Sequence, residues 1–334
     1  MPAPAAPTLK DVARAAQLSV SAVSYALRGA PNVPPATAHR VRAIATRLGY
    51  LPNARVAELM AQIRRGRKPS GTEQLALVWP EPVAADDGFS QEIRGGVRRR
   101  AAERGYRIEE FSLTDFSANP SRLADILHSR GLPGIVFGPL RRAVRADFAW
   151  PWDRFALAVI GTAPWTVPLP RAAHHHYEAM RLALTHLAAR GVQRPVALLD
   201  ANVNERAHRG WQAAWLAFGP SPAADRLQLI LPRPPTPTAL RAWLRATQPD
   251  GLLLSSEHLF AKCRAAGWRG DLRHVATLAW SPASQLAGIH QRYDTIASQA
   301  VDLVIAQLHH HERGLPTAPP TLLFPGEWAE PRSP

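Results

Sequence analysis

T-L-K-D-V-A-R-A-A-Q-L-S-V-S-A-V-S-Y-A-L, running from Thr8 to Leu27, decides the fold of the front of this chain, and L-G-Y-L-P-N, from Leu48 to Asn53, closes it. Thr8 is placed to cap a helix whose apolar face is Leu9, Val12, Ala13 and Ala16, with Asp11 near the positive end of the helix dipole. Gln17 and Leu18 leave room only for a tight corner before Ser19 caps a second helix with Val23 and Leu27 inward. That second helix opens with small polar residues instead of apolar ones. A helix built this way suits insertion of its N-terminal end into a nucleic-acid groove.

Composition supports a polyanionic partner. The 334 residues carry a formal net charge of +14, unevenly spread. Residues 1–68 hold 11 Lys or Arg against 2 Asp or Glu, and the rest of the chain 29 against 24. The excess thus concentrates where the helical corner lies. Arg-rich coding explains why only Lys10, Lys68 and Lys262 are lysines, but not this clustering. Cys263 is the one cysteine, which excludes an intrachain disulfide, suits a reducing cytosol and reads as a half-buried small hydrophobe. Met1 to Pro7 has no secretory signal, and no apolar run approaches membrane-spanning length, so a cytoplasmic protein is expected.

Gly29–Pro34 reads as a loop and Pro35 as the first turn of a third helix, Ala36–Leu48, with Val41, Ile44, Ala45 and Leu48 inward. Asn53 is placed to cap a short fourth helix to about Arg64, followed by a basic linker. Strands and helices then alternate. The strands are Leu75–Trp79, Tyr106–Phe111, Gly134–Phe137, Phe155–Ile160, Val196–Leu199, Leu227–Leu231, Gly251–Leu254 and Val275–Leu278. Helices are expected at Ser90–Arg104, Ser121–Ser129, Tyr177–Arg190, Ala207–Phe218, Thr238–Thr247, Leu259–Ala266 and Thr295–His310, and Leu322–Phe324 adds a late strand. Such alternation implies parallel sheets with helices on both faces. There are too many units for one small sheet, so two doubly wound subdomains with a cleft between them are expected.

With these motifs in that order, the chain resembles the lactose-repressor family of bacterial transcription regulators. The match continues through Gly95–Gly105, Pro133–Val136, His186–Ala197, Gly210–Trp211, Pro249–Leu253 and Ile289–Leu308. The resemblance implies an all-α helix-turn-helix headpiece plus an α/β core of two doubly wound parallel-sheet subdomains of periplasmic-binding-protein type. It divides the chain into a DNA-binding headpiece at 1–53, a hinge helix and linker at 54–72 and an effector-binding, dimerising core at 73–334. The core splits into an N-subdomain, about 73–172 and 290–317, and a C-subdomain, about 173–289 and 318–334. The implied function is a homodimeric repressor on a near-palindromic double-stranded operator, tuned by a small, sugar-like effector. No cofactor is implied.

By the same resemblance the recognition helix is Val20–Leu27, with Val20, Ser21, Ser24 and Tyr25 facing the groove and Arg28 just beyond. Ser21 and Ser24 suit base edges or phosphates, and Val20 a thymine methyl. Many members have Arg where this chain has Tyr25; tyrosine cannot read guanine through two parallel bonds, so the outer operator bases should differ. Thr8, Ser19, Asn32, Thr37 and Tyr50 would hold phosphates, whereas Pro34 stands where Ser is common and cannot. In the hinge, Asn53, Arg55, Val56, Leu59 and Met60 are the implied contacts. Leu59 falls on the family's wedge leucine, which unstacks a central base step from the minor groove, and Met60 follows it.

Effector candidates are Pro82, Phe89, Arg206, Arg209, Trp211, Ser256, Glu257, Trp280, Ser281 and Gln291. Aromatic faces on a sugar ring and Arg or carboxylate on its hydroxyls are the expected chemistry. Three departures alter it: Ala207 stands where the family often has Arg, Ser281 where it often has a cleft Asp, and His174–His176 where an Asp often precedes the helix at Tyr177.

Rival readings are weaker. His174–His176 and His309–His311 invite a metal, but consecutive histidines point in different directions and read as solvated surface, so no metal is expected. Asp200, Glu205 and His208 suggest hydrolysis, yet no nucleophile pairs with them and there is no glycine-framed serine elbow or phosphate loop, so an enzyme is not expected. A DNA-binding protein whose core no longer senses a ligand is the other alternative.

Overall fold

A computed structural model describes residues 9–27, 33–48, 73–84, 87–141, 148–220, 225–230 and 236–331. The chain divides into two units, Met1–Ser70 and Gly71–Pro334.

The first unit holds three helices, α1 (Leu9–Ala16), α2 (Val20–Leu27) and α3 (Pro35–Leu48). Apolar residues three and four apart on each helix meet at one point, where Val12, Val23 and Val41 are fully buried among five alanines. The corner between α1 and α2 closes through Leu18 N donating to the Ala13 carbonyl at 3.1 Å, with Gln17 in the left-handed region at φ 54°. Ser19 caps α2 as expected: its hydroxyl accepts from Ala22 N at 3.1 Å, a bond of the kind worth about 1 kcal/mol. Pro35 occupies the first position of α3, where its missing N–H costs nothing.

The second unit contains two six-stranded sheets. The first runs β11-β5-β4-β3-β1-β2, comprising β1 (Glu73–Trp79), β2 (Tyr106–Ser112), β3 (Gly134–Phe137), β4 (Ala156–Ile160), β5 (Arg171–His174) and β11 (Thr321–Phe324), every pair parallel. The second runs β12-β10-β9-β8-β6-β7, from β6 (Pro195–Asp200), β7 (Leu227–Ile230), β8 (Gly251–Leu254), β9 (Val275–Thr277), β10 (Ala287–His290) and β12 (Glu327–Ala329). Only its edge strand β12 is antiparallel, a departure from the all-parallel expectation. β3, β4 and β8 are buried along their whole length, as strands must be when helices cover both faces.

On the first sheet, α4 (Gly88–Glu103) and α11 (Tyr293–His310) pack over one face and α5 (Pro120–Ser129) over the other. On the second, α6 (His176–Ala189) and α8 (Gly210–Phe218) cover one face, and α9 (Pro237–Thr247) and α10 (His258–Ala265) the other. Cys263 is fully buried in that last layer instead of half-buried, and burial pushes its thiol up to about 12.

Three chain segments cross between the lobes: His174–His176, Gln291–Arg292 and Pro325–Gly326. The division expected near 318 therefore falls too early, because β11 pairs with β5 in the first sheet and the chain crosses only afterwards. Ala207–Phe218 is not one helix. A short helix α7 (Ala201–Arg206) ends where His208 and Arg209 take φ of 50° and 57°, and α8 starts afresh at Gly210. A Cβ on Gly210 would sit 3.3 Å from His176 Cβ and 3.4 Å from Tyr177 N, so the restart lets α8 approach the first turn of α6 closely.

Candidate functional site

In the helical unit, α2 turns Val23 and Ala26 inward and leaves Val20 and Tyr25 exposed, at 38% and 41%. Ser19 is exposed, Ser24 and Thr37 are half-buried, and Ser21 lies in α2. A helix that leaves a valine and a tyrosine in solvent beside small hydroxyl residues has a surface suited to base edges, methyl groups and phosphates. Of the other expected contacts, Thr8, Arg28, Asn32, Tyr50, Asn53, Arg55, Val56, Leu59 and Met60 lie outside the described residues.

In the α/β unit, a cavity of about 200 Å³ opens between the lobes. Its walls come from the carboxyl ends of strands: Pro139–Arg141 after β3, Gly161–Ala163 after β4, Ser255–Ser256 after β8 and Ala279 after β9. Helix starts add Phe89, His176, Trp211 and Tyr293, and α7 adds Val203 and Arg206. The carboxyl edge of a parallel sheet is where open α/β folds place ligands, because strand-to-helix turns leave a crevice there.

Five residues named from sequence line this cavity: Phe89, Arg206, Trp211, Ser256 and Gln291. The other five do not. Pro82 is exposed, and Arg209 points away to Glu205, at 2.9 Å. Glu257 accepts from Gln285 N at 3.0 Å, Trp280 packs edge-on against His290, and Ser281 is exposed in a turn closed by Ser284. Sequence reasoning missed Arg141, Thr162, His176 and Tyr293. The carboxyl-end rule, applied to the strands at Gly134–Phe137 and Phe155–Ile160, was the available signal for the first two.

Four hydrogen bonds bridge the lobes around the cavity. Arg206 Nη1 donates to the Leu140 carbonyl at 2.8 Å, and Asn202 Nδ2 to the Arg141 carbonyl at 2.9 Å. Thr162 Oγ1 donates to the Arg206 carbonyl at 2.8 Å, and His208 Nε2 to the Thr162 carbonyl at 2.8 Å. Arg171 braces the same loop through the carbonyls of Gly161, Thr162 and Ala163.

His174 and His176 correct the expectation of solvated surface. His174 is 1% exposed and His176 lines the cavity, its ring edge-on to Trp211 at 5.1 Å. Burial holds both well below the usual histidine range, His176 at about 3, with Arg206 adding to the shift. Both are therefore neutral near pH 7. His309–His311 are exposed. Among the described residues no group of three His, Cys, Asp or Glu is arranged to hold a metal. Tyr293, packed edge-on against Phe89 at 4.5 Å, has its phenol raised to about 12 by burial. No described helix is long and apolar enough to cross a membrane.

Comparison with known proteins agrees with this geometry. Residues 8–53 match the family described as bacterial regulatory proteins, lacI family. Over 218 residues the chain is 28% identical to the sucrose operon repressors of Shigella flexneri and Escherichia coli, covering 64% of this chain and 62% of theirs. It is 35% identical over 131 residues to the HTH-type transcriptional repressor CytR of Escherichia coli strain K12, covering 39% of this chain and 35% of that one. Among solved structures, the transcriptional regulator CelR in complex with cellobiose superposes on 97% of this chain and 98% of its own, with 21% identity and a TM-score of 0.52. A LacI-family regulator from Rhizobium etli covers 78% of this chain and 99% of its own, with 13% identity and a TM-score of 0.56. At such identities the structural likeness is one of fold.

Proposed function

We propose that the chain, whose residues 8–53 match the lacI family of bacterial regulatory proteins, is a sequence-specific DNA-binding transcriptional regulator, a repressor, acting in the cytoplasm. Two copies bind a near-palindromic operator, each inserting α2 in a major groove, while paired hinge segments carrying Leu59 open the minor groove between them. A small ligand in the interlobe cavity biases the core between open and closed states and so sets the spacing of the hinges. The observation that carries this reading is the joining, in one chain, of a helical corner that exposes Val20 and Tyr25 to a two-lobed core with a lined cavity.

Relatives whose names include sucrose and a neighbour solved with cellobiose support a small polar ligand for the cavity. Its volume, below the ~300–1,000 Å³ of drug-sized sites, favours something near one sugar ring.

DNase footprinting on genomic fragments, including the region upstream of the chain's own gene, is the test. Protection of one two-fold symmetric site, weakening steeply with salt, is expected. Uniform binding to all fragments, or none, would defeat the proposal.

A further inference from the structure

Elsewhere in the core, some partly buried arginines are paired with acids, whereas Arg171 is held by carbonyls alone. Arg94 meets Glu110 at 2.7 Å, and Arg100 meets Asp302 at 2.6 Å. Arg206 also lacks an acid, but it lines the cavity and has a donor left over. Its Nη1 donates to a neutral acceptor, the Leu140 carbonyl, and its Nε is buried with no partner. The acids that act on it, Glu81 and Asp200, are engaged elsewhere: Glu81 accepts from Arg141 N, and Asp200 caps α7 through Val203 N at 3.0 Å. Neither is within ion-pair distance. Burial accordingly pulls its guanidinium below the ordinary arginine value.

The rest of the cavity does not supply the missing charge. Among the described residues no carboxylate lines it. Arg141, on the same wall, already pairs with Asp87 at 3.0 Å. Trp211, a lining residue 1% exposed, has a buried indole Nε1 without a partner, as do Trp150, Trp268 and Trp280 away from the cavity. The Gln291 amide N–H₂ is taken by the Leu278 carbonyl at 2.7 Å. A neutral sugar could use the side-chain oxygens of Ser256 and Gln291 as acceptors, but these carry no charge to balance Arg206. A half-buried cation without a counter-charge is costly to keep, and an anionic ligand offsets that cost.

We propose that the interlobe cavity binds a small polar ligand bearing an oxyanion, a carboxylate or a phosphate, held by Arg206 with Trp211 as a second donor. The proposal rests on reading this cavity as the regulator's ligand site. Shape and the conjunction of donors favour one oxyanion on a body about the size of a sugar ring.

Thermal unfolding of the full chain, wild type and Arg206→Met, tests it in phosphate, acetate, glucuronate, glucose 6-phosphate and glucose, each against chloride at equal ionic strength. At least one anion should raise the wild-type Tm by several degrees and leave Arg206→Met unmoved. Phosphate with glucose 6-phosphate, or acetate with glucuronate, would identify the anion. Arg206→Met loses the bond to the Leu140 carbonyl as well as the charge, so its ligand-free Tm serves only as the baseline for its own anion response. If it does not fold, Arg206→Lys should keep the anion response, weakened about tenfold. No anion effect, an equal effect in Arg206→Met, or a response to glucose alone would each overturn the proposal. Footprinting reads the regulator function independently: symmetric protection with no anion response sinks only the ligand class, whereas absent protection sinks the regulator.

Discussion

Thr162 Oγ1 donates to the main-chain carbonyl of Arg206 at 2.8 Å, tying the loop after β4 in one lobe to the end of α7 in the other. His208 returns a bond to the Thr162 carbonyl, and Arg206 and Asn202 reach across to the carbonyls of Leu140 and Arg141. All four exist only while the lobes are close. Thr162→Val keeps the shape and removes one of them, about 1 kcal/mol of preference for the closed arrangement, or roughly a fivefold shift in the open-to-closed ratio. Small-angle scattering of the ligand-free chain should show a larger radius of gyration, and ligand binding should weaken by up to about that factor. Unchanged scattering and affinity would remove the latch role.

The front of the chain was legible because local rules decide it. Ser19 caps α2, and the spacing of Val12, Val23 and Val41 already builds the core. Parallel sheets followed from alternating apolar runs such as Gly134–Phe137 and Gly251–Leu254. β5, β10 and β12 escaped notice because Arg171–His174, Ala287–His290 and Glu327–Ala329 are too short to show a period; neighbours on the sheet make them strands. The break after α7 escaped because His208 and Arg209 adopt positive φ without glycine, which tertiary contacts impose and sequence does not announce. For the same reason Arg209, expected in the cleft beside Arg206, points out to Glu205. The burial of His174 was illegible too: a run of three histidines reads as polar until β11 is laid beside it.

Gly96 lets α4 lie against the start of α11. A Cβ there would fall 2.2 Å from the Asp294 carbonyl oxygen and 2.8 Å from its Cα, both main-chain atoms that cannot swing aside. Gly96→Ala should therefore destabilise the core by about 1–3 kcal/mol despite the better helix propensity of alanine. Urea unfolding followed by tryptophan fluorescence is the readout, and a midpoint equal to or above wild type would contradict the packing argument.

Acid should weaken the core through His174 and His176. His176, held at about 3 in the folded chain against about 6.5 unfolded, stays neutral while the unfolded chain takes up a proton. The stability it contributes is complete above the unfolded value and is lost as pH falls below about 6.5 toward 3. At pH 5 the loss is about 1–2 kcal/mol for His176, and His174 acts in the same direction. Urea titrations at pH 7 and pH 5 should show this drop, and His176→Gln should reduce it. An identical pH dependence in the variant would assign the acid sensitivity elsewhere.

Leu59 tests the hinge. Its replacement by glycine removes the apolar group assigned to unstacking the central base step and should cost operator affinity at least a hundredfold, while cavity ligands still raise the Tm as in wild type. DNA bending measured by gel mobility should vanish with the affinity. A Leu59→Gly protein that bends and holds its operator normally would show that the leucine is not the wedge.

Tyr25 separates reading from holding. It is 41% exposed on α2, whose buried side is formed by Val23 and Ala26, so Tyr25→Ala should change headpiece stability by less than about 1 kcal/mol. If its ring meets base edges, cognate affinity should fall by about 1–3 kcal/mol, roughly ten- to a hundredfold, with little change on unrelated DNA. The salt dependence should keep its slope, because phosphate contacts are untouched. Tyr25→Arg should do more than lose affinity: it restores a side chain able to bond guanine twice, and selection from randomised half-sites should move toward guanine at the contacted position. Equal losses on cognate and unrelated DNA, or an unchanged base preference in Tyr25→Arg, would place Tyr25 against the backbone instead of the bases.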